Sequence, residues 1–173
     1  MDGYSHKAVA AIIMPALPLL IYLFMTVIPK LDPKRENYEK FASTYEKIRL
    51  AIVIILGVFT FIPLLSALGY SVNVSLLMRI TIPILFMIIG NYLGKIRFNY
   101  FTGLRVPWTL ANEEVWNKTH RLGGKLIVLG GFIGLLSVFF PPVFGFILLI
   151  TAIFVPLVIT IVYSYLSYRK LVK

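Results

Sequence analysis

Cysteine is absent from the 173-residue chain, and acidic residues and histidines are scarce. Without thiols the chain has no disulfide, no thiolate nucleophile and no cysteine-ligated metal. Seven acidic residues and two histidines are all that remain for acid–base chemistry or metal binding. Charged residues make up 14% of the sequence, against about a quarter in soluble domains, and 59% is hydrophobic. This composition excludes a disordered chain and a nucleic-acid-binding fold, and it indicates an integral membrane protein.

Five apolar stretches are candidates to cross a bilayer. They cover residues 8–29, 50–68, 74–93, 126–140 and 143–166, of which the fourth is short unless its flanks are counted. A transmembrane helix needs about 20 apolar residues. We therefore predict an all-α integral membrane protein, a single domain over residues 1–173 built as a bundle of five transmembrane helices. Short amphipathic helices at the cytoplasmic interface are predicted in the polar connectors, 30–49 and 95–125.

Basic residues are distributed unevenly between the two sides of this bundle. Fifteen lysines and arginines lie in the two long connectors and the carboxyl-terminal tail, whereas the other side has only Lys7, apart from Arg79 inside a span. Cytoplasmic loops of membrane proteins carry the excess of basic residues. The pattern predicts a multi-pass protein of the cell membrane with its amino terminus outside and its carboxyl terminus in the cytoplasm.

The first connector has the pattern of an amphipathic helix. Asp32-Pro33 is a helix-start signal, because aspartate can cap and proline needs no N–H donor at the first position. The apolar positions that recur at helical spacing are Tyr38, Phe41, Ala42, Tyr45 and Ile48. We expect this helix to lie at the membrane surface and to run into the second span. A solvated connector and a surface that docks a partner both remain open.

Small and polar residues inside the spans have several interpretations. Two Gly-x-x-x-Gly patterns begin at Gly90 and Gly130 and favour close packing between helices of one chain over a dimer interface. Arg79 lies five residues from the outer end of its span, so we expect it to snorkel to the interface rather than to form a site. Asn91 either bonds to a neighbouring helix or faces a cavity.

The segment 103–124 is the chemically varied part of the chain and contains both tryptophans. Asn112 as a cap, two acidic residues after it and Gly123-Gly124 at the end predict a short helix over 112–122. Its apolar face is predicted to contain Val115, Trp116, Thr119 and Leu122, and its exposed side the i, i+4 pairs Glu114–Lys118 and Asn117–Arg121.

A third column on this helix contains Glu113, Asn117 and His120. Glu113 and His120 are about 10.5 Å apart along the axis, whereas two ligands of one metal need i, i+3 or i+4 spacing. His6 is predicted on the opposite side of the membrane, and Glu113 and Glu114 point about 100° apart. No Gly-x-Ser-x-Gly motif is present either. We therefore predict no metal, no cofactor and no catalytic residue.

The run from Arg105 to Thr109 precedes this helix. Pro107 makes the approach rigid, Trp108 suits a membrane interface, and Arg105 offers a planar fork for phosphate or carboxylate. Two interpretations remain open: a binding element, or an interfacial anchor in which Arg105 contacts a lipid phosphate.

These residues together resemble the SdpI family of prokaryotic polytopic membrane proteins. The matching residues are Asn91, then Gly103-Leu104-Arg105-x-Pro107-Trp108-Thr109-Leu110, then Glu113-Glu114-Val115-Trp116-x-Lys118-Thr119-His120-Arg121 with Gly124-Lys125. In its hydropathy plan the resemblance covers essentially the whole chain. Val106 departs from the family pattern, in which threonine is usual. Family members commonly begin with a further helix and an outer segment, of which Met1–Lys7 resembles only the tail. We therefore expect either a relative shortened at its amino terminus or a chain that starts at an internal methionine.

The resemblance implies immunity against a secreted membrane-active toxin. In the founding member it also implies signalling, in which a transcriptional repressor is held at the membrane. The expected partners are therefore the lipid bilayer, a toxin peptide and a cytoplasmic regulator, without direct contact to nucleic acid. The residues implied to bind ligand or partner are Asn91, Gly103, Arg105, Pro107, Trp108, Thr109, Glu113, Glu114, Trp116, His120 and Arg121.

Two other functions remain as alternatives to non-enzymatic immunity or stress sensing. Prolines in four of the five spans, with Arg79 and Asn91, would suit a small transporter or channel with a polar path through the bundle. A membrane enzyme acting on lipid head groups would require Glu113, His120 and Arg105 to converge at one interfacial cleft.

Overall fold

Residues 7–172 are described by a computed structural model, with the side chains of 12–66 and 68–171. The helices are α1 (Lys7–Leu31), α2 (Arg35–Glu39), α3 (Ala42–Ala67), α4 (Val74–Leu93), α5 (Pro107–Ala111), α6 (Glu113–Leu135) and α7 (Pro142–Val172), with a 3-10 helix at Leu136–Phe139. Five of them are long and apolar enough to cross a membrane. The predicted all-α membrane fold is confirmed.

Helix α6 lies at the centre of the bundle. It packs against α4 on one side and α7 on the other, while α3 packs against α4 and α1 packs mainly against α3. The two long connectors, 32–41 and 94–112, lie at one end, which we call the connector end. The opposite end, formed by the short links 68–73 and 140–141, we call the turn end.

Glycines allow α6 to approach both neighbours at backbone distance. A Cβ atom on Gly124 would lie 2.6 Å from the Gly90 carbonyl oxygen of α4, and one on Gly130 would lie 2.2 Å from the Ala152 carbonyl oxygen of α7. Pro156 has no N–H, so it offers the Ala152 carbonyl no backbone donor. Glycine brings a Cα–H group to that carbonyl instead. The prediction that both Gly-x-x-x-Gly patterns pack within the chain is confirmed.

The fourth span does not begin after a glycine break. Gly123 and Gly124 were expected to end a short surface helix, but α6 continues through them to Leu135. Their missing side chains serve packing instead: a Cβ on Gly123 would lie 2.7 Å from the Thr160 methyl carbon of α7. The predicted span 126–140 therefore comprises the end of this longer helix and the 3-10 helix that follows it, and the span 74–93 coincides with α4.

The first connector differs from the single amphipathic helix that was predicted. Its helix is interrupted between Glu39 and Ala42, and Lys34, not Asp32, is the residue at the N-cap of α2. Tyr38 and Tyr45 are buried as expected, whereas Ala42 is exposed. The apolar face belongs to a core cluster that includes Ile96, Phe98 and Trp116, so it packs against the second connector.

Arg79 is buried inside the bundle, with 7% of its surface exposed. Its Nη1 donates to the carbonyl oxygens of Ser137 and Phe140, both at 2.8 Å, and its Nε donates to the Ser75 carbonyl at 3.3 Å. The prediction that it snorkels to the interface is wrong, because the open carbonyls at the end of the 3-10 helix supply acceptors within the protein. Arg79 thus stabilises the link between α6 and α7.

Candidate functional site

The second connector folds around one buried amide. The Oδ1 atom of Asn99 accepts from the backbone N–H groups of Phe101 at 2.9 Å and Thr102 at 2.6 Å. Its Nδ2 donates to the carbonyls of Arg97 at 2.8 Å and Thr102 at 3.0 Å. These bonds satisfy backbone groups that have no helical partner, so residues 94–106 form an ordered loop, which we call the Asn99 loop.

Asp32 connects the first connector to this loop. Its Oδ2 accepts from the Tyr100 N–H at 2.9 Å, and its Oδ1 from the Lys34 N–H at 2.7 Å. The Tyr38 hydroxyl lies 3.1 Å from Asp32 Oδ2 and 3.2 Å from Asn99 Oδ1 and donates to this pair. Burial raises the pKa of Tyr38 well above its ordinary value, so the hydroxyl keeps its proton.

Sequence reasoning missed the role of these polar residues. Sequence patterns predict Asp32 as a helix cap and Tyr38 as part of an apolar face. They assign no role to Asn37 or Asn99. Asn37 Nδ2 donates to the Phe98 carbonyl at 2.8 Å, which adds a second tie between the connectors. The available signal was the single short amide in the aromatic run 98–101, where asparagine typically closes a turn on its own backbone.

His120 of α6 stabilises the Asn99 loop through a hydrogen bond to its backbone. Its Nδ1 lies 2.8 Å from the Trp116 carbonyl, and its Nε2 accepts from the Leu104 N–H at 2.9 Å. The second bond leaves the proton on Nδ1, so the imidazole is neutral. Gly103 has φ +111°, and a Cβ there would lie 2.4 Å from His120 Nε2. Only glycine fits this position, because a side chain would displace the histidine.

Trp116 is fully buried beside this histidine. Its ring stacks on His120 with centroids 4.0 Å apart, and its Nε1 donates to the Ile96 carbonyl at 3.0 Å. Phe98 meets the other side of the indole edge-on at 5.4 Å. The expected apolar face of α6 is confirmed at Trp116 and Thr119, and His120 belongs to the same buried side. Within the predicted column, Glu113 and Asn117 are exposed, whereas His120 is buried.

A short helix closes the Asn99 loop. Pro107 is the first residue of α5. The fully buried Thr109 accepts from the Val106 N–H at 3.0 Å and lies 2.9 Å from the Leu104 carbonyl, to which its hydroxyl donates. Pro107 restricts the backbone where α5 begins, and Thr109 satisfies the Val106 N–H and the Leu104 carbonyl just before it. The junction between the Asn99 loop and α5 is therefore fixed.

Trp108 attaches α5 to the last helix. Its indole Nε1 donates to the Ser164 hydroxyl, and its ring meets Tyr165 edge-on with centroids 5.3 Å apart. The side chain is half-buried. Trp108 therefore combines a packing role against α7 with an accessible edge.

Arg105 is the exposed cation of the loop. Its Nη1 donates to the Tyr100 carbonyl at 2.7 Å. No carboxylate of the described residues forms a salt bridge with it. The remaining guanidinium donors face outward and are open to a phosphate or carboxylate.

The start of α6 carries the acidic pair. Asn112 caps the helix as predicted, with Oδ1 accepting from the N–H groups of Glu114 at 2.8 Å and Val115 at 3.1 Å. Glu114 pairs with Lys118 at 2.6 Å, and both are exposed. Glu113 is exposed as well. These carboxylates suit the positive end of the helix, where a negative charge is stabilising.

Asn91 and Arg121 lie together on another face of the bundle. Both are exposed, and they line a groove of about 360 Å³ between α4 and α6 with Lys125. The transporter hypothesis predicts a polar path through the bundle, but Asn91 lies in this outer groove.

The predicted site residues therefore separate into three sets. One set braces the loop: Gly103, which is exposed, and the buried Thr109, Trp116 and His120. An accessible set surrounds α5 and the start of α6: Arg105, Pro107, Trp108, Glu113 and Glu114. The third set is the groove with Asn91 and Arg121. His120 is buried while Arg105 and Glu113 are exposed, so the cleft that an enzyme would need does not form among them. Groups of three or more metal-binding side chains are not found in the described residues either.

Comparison with known proteins agrees with this arrangement. The SdpI/YfhL protein family matches residues 95–164, which contain the Asn99 loop, α5, α6 and most of α7. The immunity protein SdpI of Bacillus subtilis (strain 168) is 30% identical over 165 residues, which cover 95% of this chain and 77% of the relative. The chain belongs to the SdpI family. No solved structure matches it.

The family match includes the site and most of the membrane core around it. Residues 95–164 contain ten of the eleven predicted site residues, and only Asn91 lies before them. The similarity to the Bacillus protein extends over nearly the whole chain, so it also includes α1 and the first connector. The chain is a multi-pass membrane protein with the SdpI-family loop at its connector end.

Proposed function

We propose that this chain is an integral membrane immunity protein that protects its cell against a membrane-active toxin without acting as an enzyme. The observation that supports this most directly is the similarity to the immunity protein SdpI, which extends over 95% of the chain. The site adds support, because the buried side chains of Asn99, Thr109 and His120 bond to backbone groups of the loop. Such groups stabilise a rigid loop, as a recognition surface requires.

The recognition element in this proposal is the exposed part of the Asn99 loop with α5. Arg105 offers free guanidinium donors, and Trp108 offers an aromatic edge beside it. Arginine and tryptophan are enriched among residues that dominate binding energies. The loop beneath them is fixed by Asn99, Thr109 and His120, so little ordering entropy is lost when a partner binds.

The side of the membrane determines which partner fits. The positive-inside rule places the connector end in the cytoplasm and the turn end outside. We therefore assign a cytoplasmic regulator to the loop with Arg105, whereas a toxin peptide would meet the protein within or outside the bilayer. The chain is assigned to the cell membrane.

Toxin survival tests the proposed activity. The wild type, Arg105→Ala and Trp108→Ala are expressed in a toxin-sensitive host, with Arg97→Ala as the matched control. Arg97 is an exposed arginine of the same loop whose side chain makes no hydrogen bond to the described residues. We expect protection from the wild type and Arg97→Ala at equal membrane levels. Reduced protection by Arg105→Ala or Trp108→Ala would mean that the loop contributes to immunity as well as to binding of a regulator. If even the wild type fails to protect while inserted in the membrane, the immunity proposal is wrong.

The orientation can be tested separately because the chain contains no cysteine. Single substitutions Ser71→Cys and Glu113→Cys place one thiol at each end of the bundle. A membrane-impermeant maleimide added to intact cells should label only Ser71→Cys, and both positions after lysis. Labelling of Glu113→Cys in intact cells would reverse the proposed topology.

A further inference from the structure

The groove between α4 and α6 at the connector end is cationic and has no internal counter-charge. Arg121 and Lys125 are one helical turn apart on α6, and Asn91 faces them from α4. No salt bridge or hydrogen bond involves these three side chains among the described residues. The site therefore presents two cations and an amide to a ligand with negatively charged oxygen atoms.

Glycines create the space in which this ligand would lie. Gly90, Gly94 and Gly124 line the groove, whose volume is about 360 Å³. A Cβ on Gly94 would lie 3.3 Å from the Arg121 Cα atom. The two helices are thus close enough for their polar side chains to reach one ligand from both sides.

An apolar groove of about 670 Å³ continues from this cationic groove along the bundle. Asn91 and Val128 line both. From there the apolar groove follows α4 back to Ile84 and α6 forward to Leu135, seven residues on each helix, which is about 10 Å. Its remaining wall is the apolar face of α3 from Leu50 to Ile54. Phe132 is an exposed residue of this apolar groove, and it belongs to a helix that is long and apolar enough to cross a membrane.

We propose that these two grooves form one binding site for an anionic glycerophospholipid, whose phosphate contacts Arg121 and Lys125 and whose acyl chain lies against α3, α4 and α6. Charge complementarity favours an anionic over a zwitterionic head group, because the groove supplies cations without a carboxylate. Basic pockets between transmembrane helices are a known setting for anionic head groups. This site shares only the first residues of the Asn99 loop, Gly94 and Lys95, and it does not depend on the immunity function.

Lys47 and Lys95 add positive electrostatic potential near the cationic groove, where the lipid phosphate would lie. Their ammonium groups lie 5.5 Å and 5.3 Å from the ring centroid of Tyr92, which lines the upper part of the apolar groove. Both cations are thus held near the point where the two grooves join. Acidic residues of the described chain do not line either groove.

Lipid titration of the full chain in detergent tests this site. Native mass spectrometry would measure apparent dissociation constants for dioleoylphosphatidylglycerol and for dioleoylphosphatidylcholine. We expect tighter binding of phosphatidylglycerol. A surface cation contributes roughly a fivefold change in affinity, so Arg121→Gln and Lys125→Gln should each weaken binding about fivefold and the double variant about 25-fold. The matched control is Arg97→Gln with Lys118→Gln, which removes the same charge outside both grooves and should leave the constant within about twofold.

Three outcomes would overturn the proposal. Equal affinity for the two lipids would remove the head-group preference. Equal weakening by the control pair and by the groove pair would show that only overall charge matters. Glycerol phosphate tests the acyl groove, because it carries the anion without the chains. We expect glycerol phosphate not to compete at the same concentration as the lipid. Competition at that concentration would show that the site binds only the anion and not the acyl chain.

Discussion

Helices α6 and α1 are of similar length, 23 and 25 residues, yet they are held in the bundle in different ways. Helix α6 buries ten residues, six of them glycine or threonine, and meets its neighbours at backbone distance. In α1, Pro18 is the only buried residue among the side chains from 12 to 31. Side-chain hydrogen bonds at the connector end attach α1 to α3 instead. The comparison teaches that apolar composition places a helix in the membrane, whereas small residues decide which helix becomes the centre.

The largest effect is expected where α6 meets α7. Gly130→Ala would place a methyl group 2.2 Å from the Ala152 carbonyl oxygen and 2.9 Å from the Pro156 side chain. Because backbone cannot move aside cheaply, we expect a loss of about 1–3 kcal/mol or more in the free energy of unfolding. Reversible unfolding of the purified chain in bicelles would measure it.

Gly57→Ala in α3 provides the control for this substitution. A Cβ at Gly57 meets no atom within 4 Å, and the residue lies inside a helix. Alanine there should stabilise the chain by about 0.5–1 kcal/mol through its better helix propensity. If both alanine variants behaved alike, close backbone packing could not be what holds α6 at the centre.

The next effect concerns the loop that α6 carries. His120→Phe removes the acceptor for the Leu104 N–H and leaves that group unpaired, at a cost of about 1–3 kcal/mol. We expect hydrogen exchange in the peptide 101–106 to accelerate by roughly tenfold or more. Asn117→Ala, which changes an exposed residue of the same helix, should leave the exchange rate unaltered. Unchanged exchange in the phenylalanine variant would show that the loop is held by Asn99, Asp32 and Thr109 without the histidine.

A smaller effect is expected at the tie between the two connectors. Tyr38→Phe deletes the hydroxyl between Asp32 and Asn99, and a typical loss is about 1 kcal/mol. Tyr70→Phe is the control, because Tyr70 is 65% exposed at the turn end. Equal unfolding free energies for the two variants would rule out a stabilising tie.

The same tyrosine gives a pH dependence with a definite sign. Burial raises the pKa of Tyr38 in the folded state, so the folded chain keeps a proton that the unfolded chain loses near its ordinary value of about 10. The contribution of Tyr38 is therefore fully present below pH 10 and decreases as the pH rises above it. The stability difference between wild type and Tyr38→Phe should be constant from pH 7 to 9 and shrink above 10, within the range where the protein remains intact.

Local patterns in the sequence were sufficient for the elements and for part of the site. The Asn112 cap, the Glu114–Lys118 pair and the two Gly-x-x-x-Gly patterns were predicted correctly, because each depends on spacing along one helix. Gly123-Gly124 was misread, since glycine ends a helix in water but packs inside one in a bundle.

Local sequence patterns do not predict the hydrogen bonds that join residues far apart in the chain. Asp32 and Tyr100 are 68 positions apart, and Arg79 meets carbonyls 58 and 61 positions away. Such pairs depend on how α4, α6 and the connectors are arranged in space, which periodicity does not specify. Helical spacing groups His120 with Glu113 and Asn117, but spacing does not indicate that its two nitrogen atoms are both satisfied by backbone groups inside the protein.

The smallest effect is expected at α1. Pro29 has no N–H, so the Met25 carbonyl four residues earlier lacks that helical donor, and the Tyr45 hydroxyl of α3 donates to it at 2.5 Å. Tyr45→Phe should cost only about 0.6 kcal/mol, the average for hydrogen bonds between transmembrane helices. The unfolding assay used for Gly130→Ala would measure this change.

A double-mutant cycle shows whether the proline is the reason for that bond. Pro29→Ala restores an N–H for the Met25 carbonyl, so Tyr45→Phe should then cost less than in the wild-type background. Equal costs in the two backgrounds would mean that the tyrosine serves packing and not the carbonyl that Pro29 leaves open. A cost that disappears would show that Tyr45 contributes by satisfying the carbonyl that Pro29 leaves open, beside the bonds of Arg49 to Thr26 and Tyr22. Helix α1 is then attached by separate side-chain bonds, in contrast to the continuous backbone contact of α6.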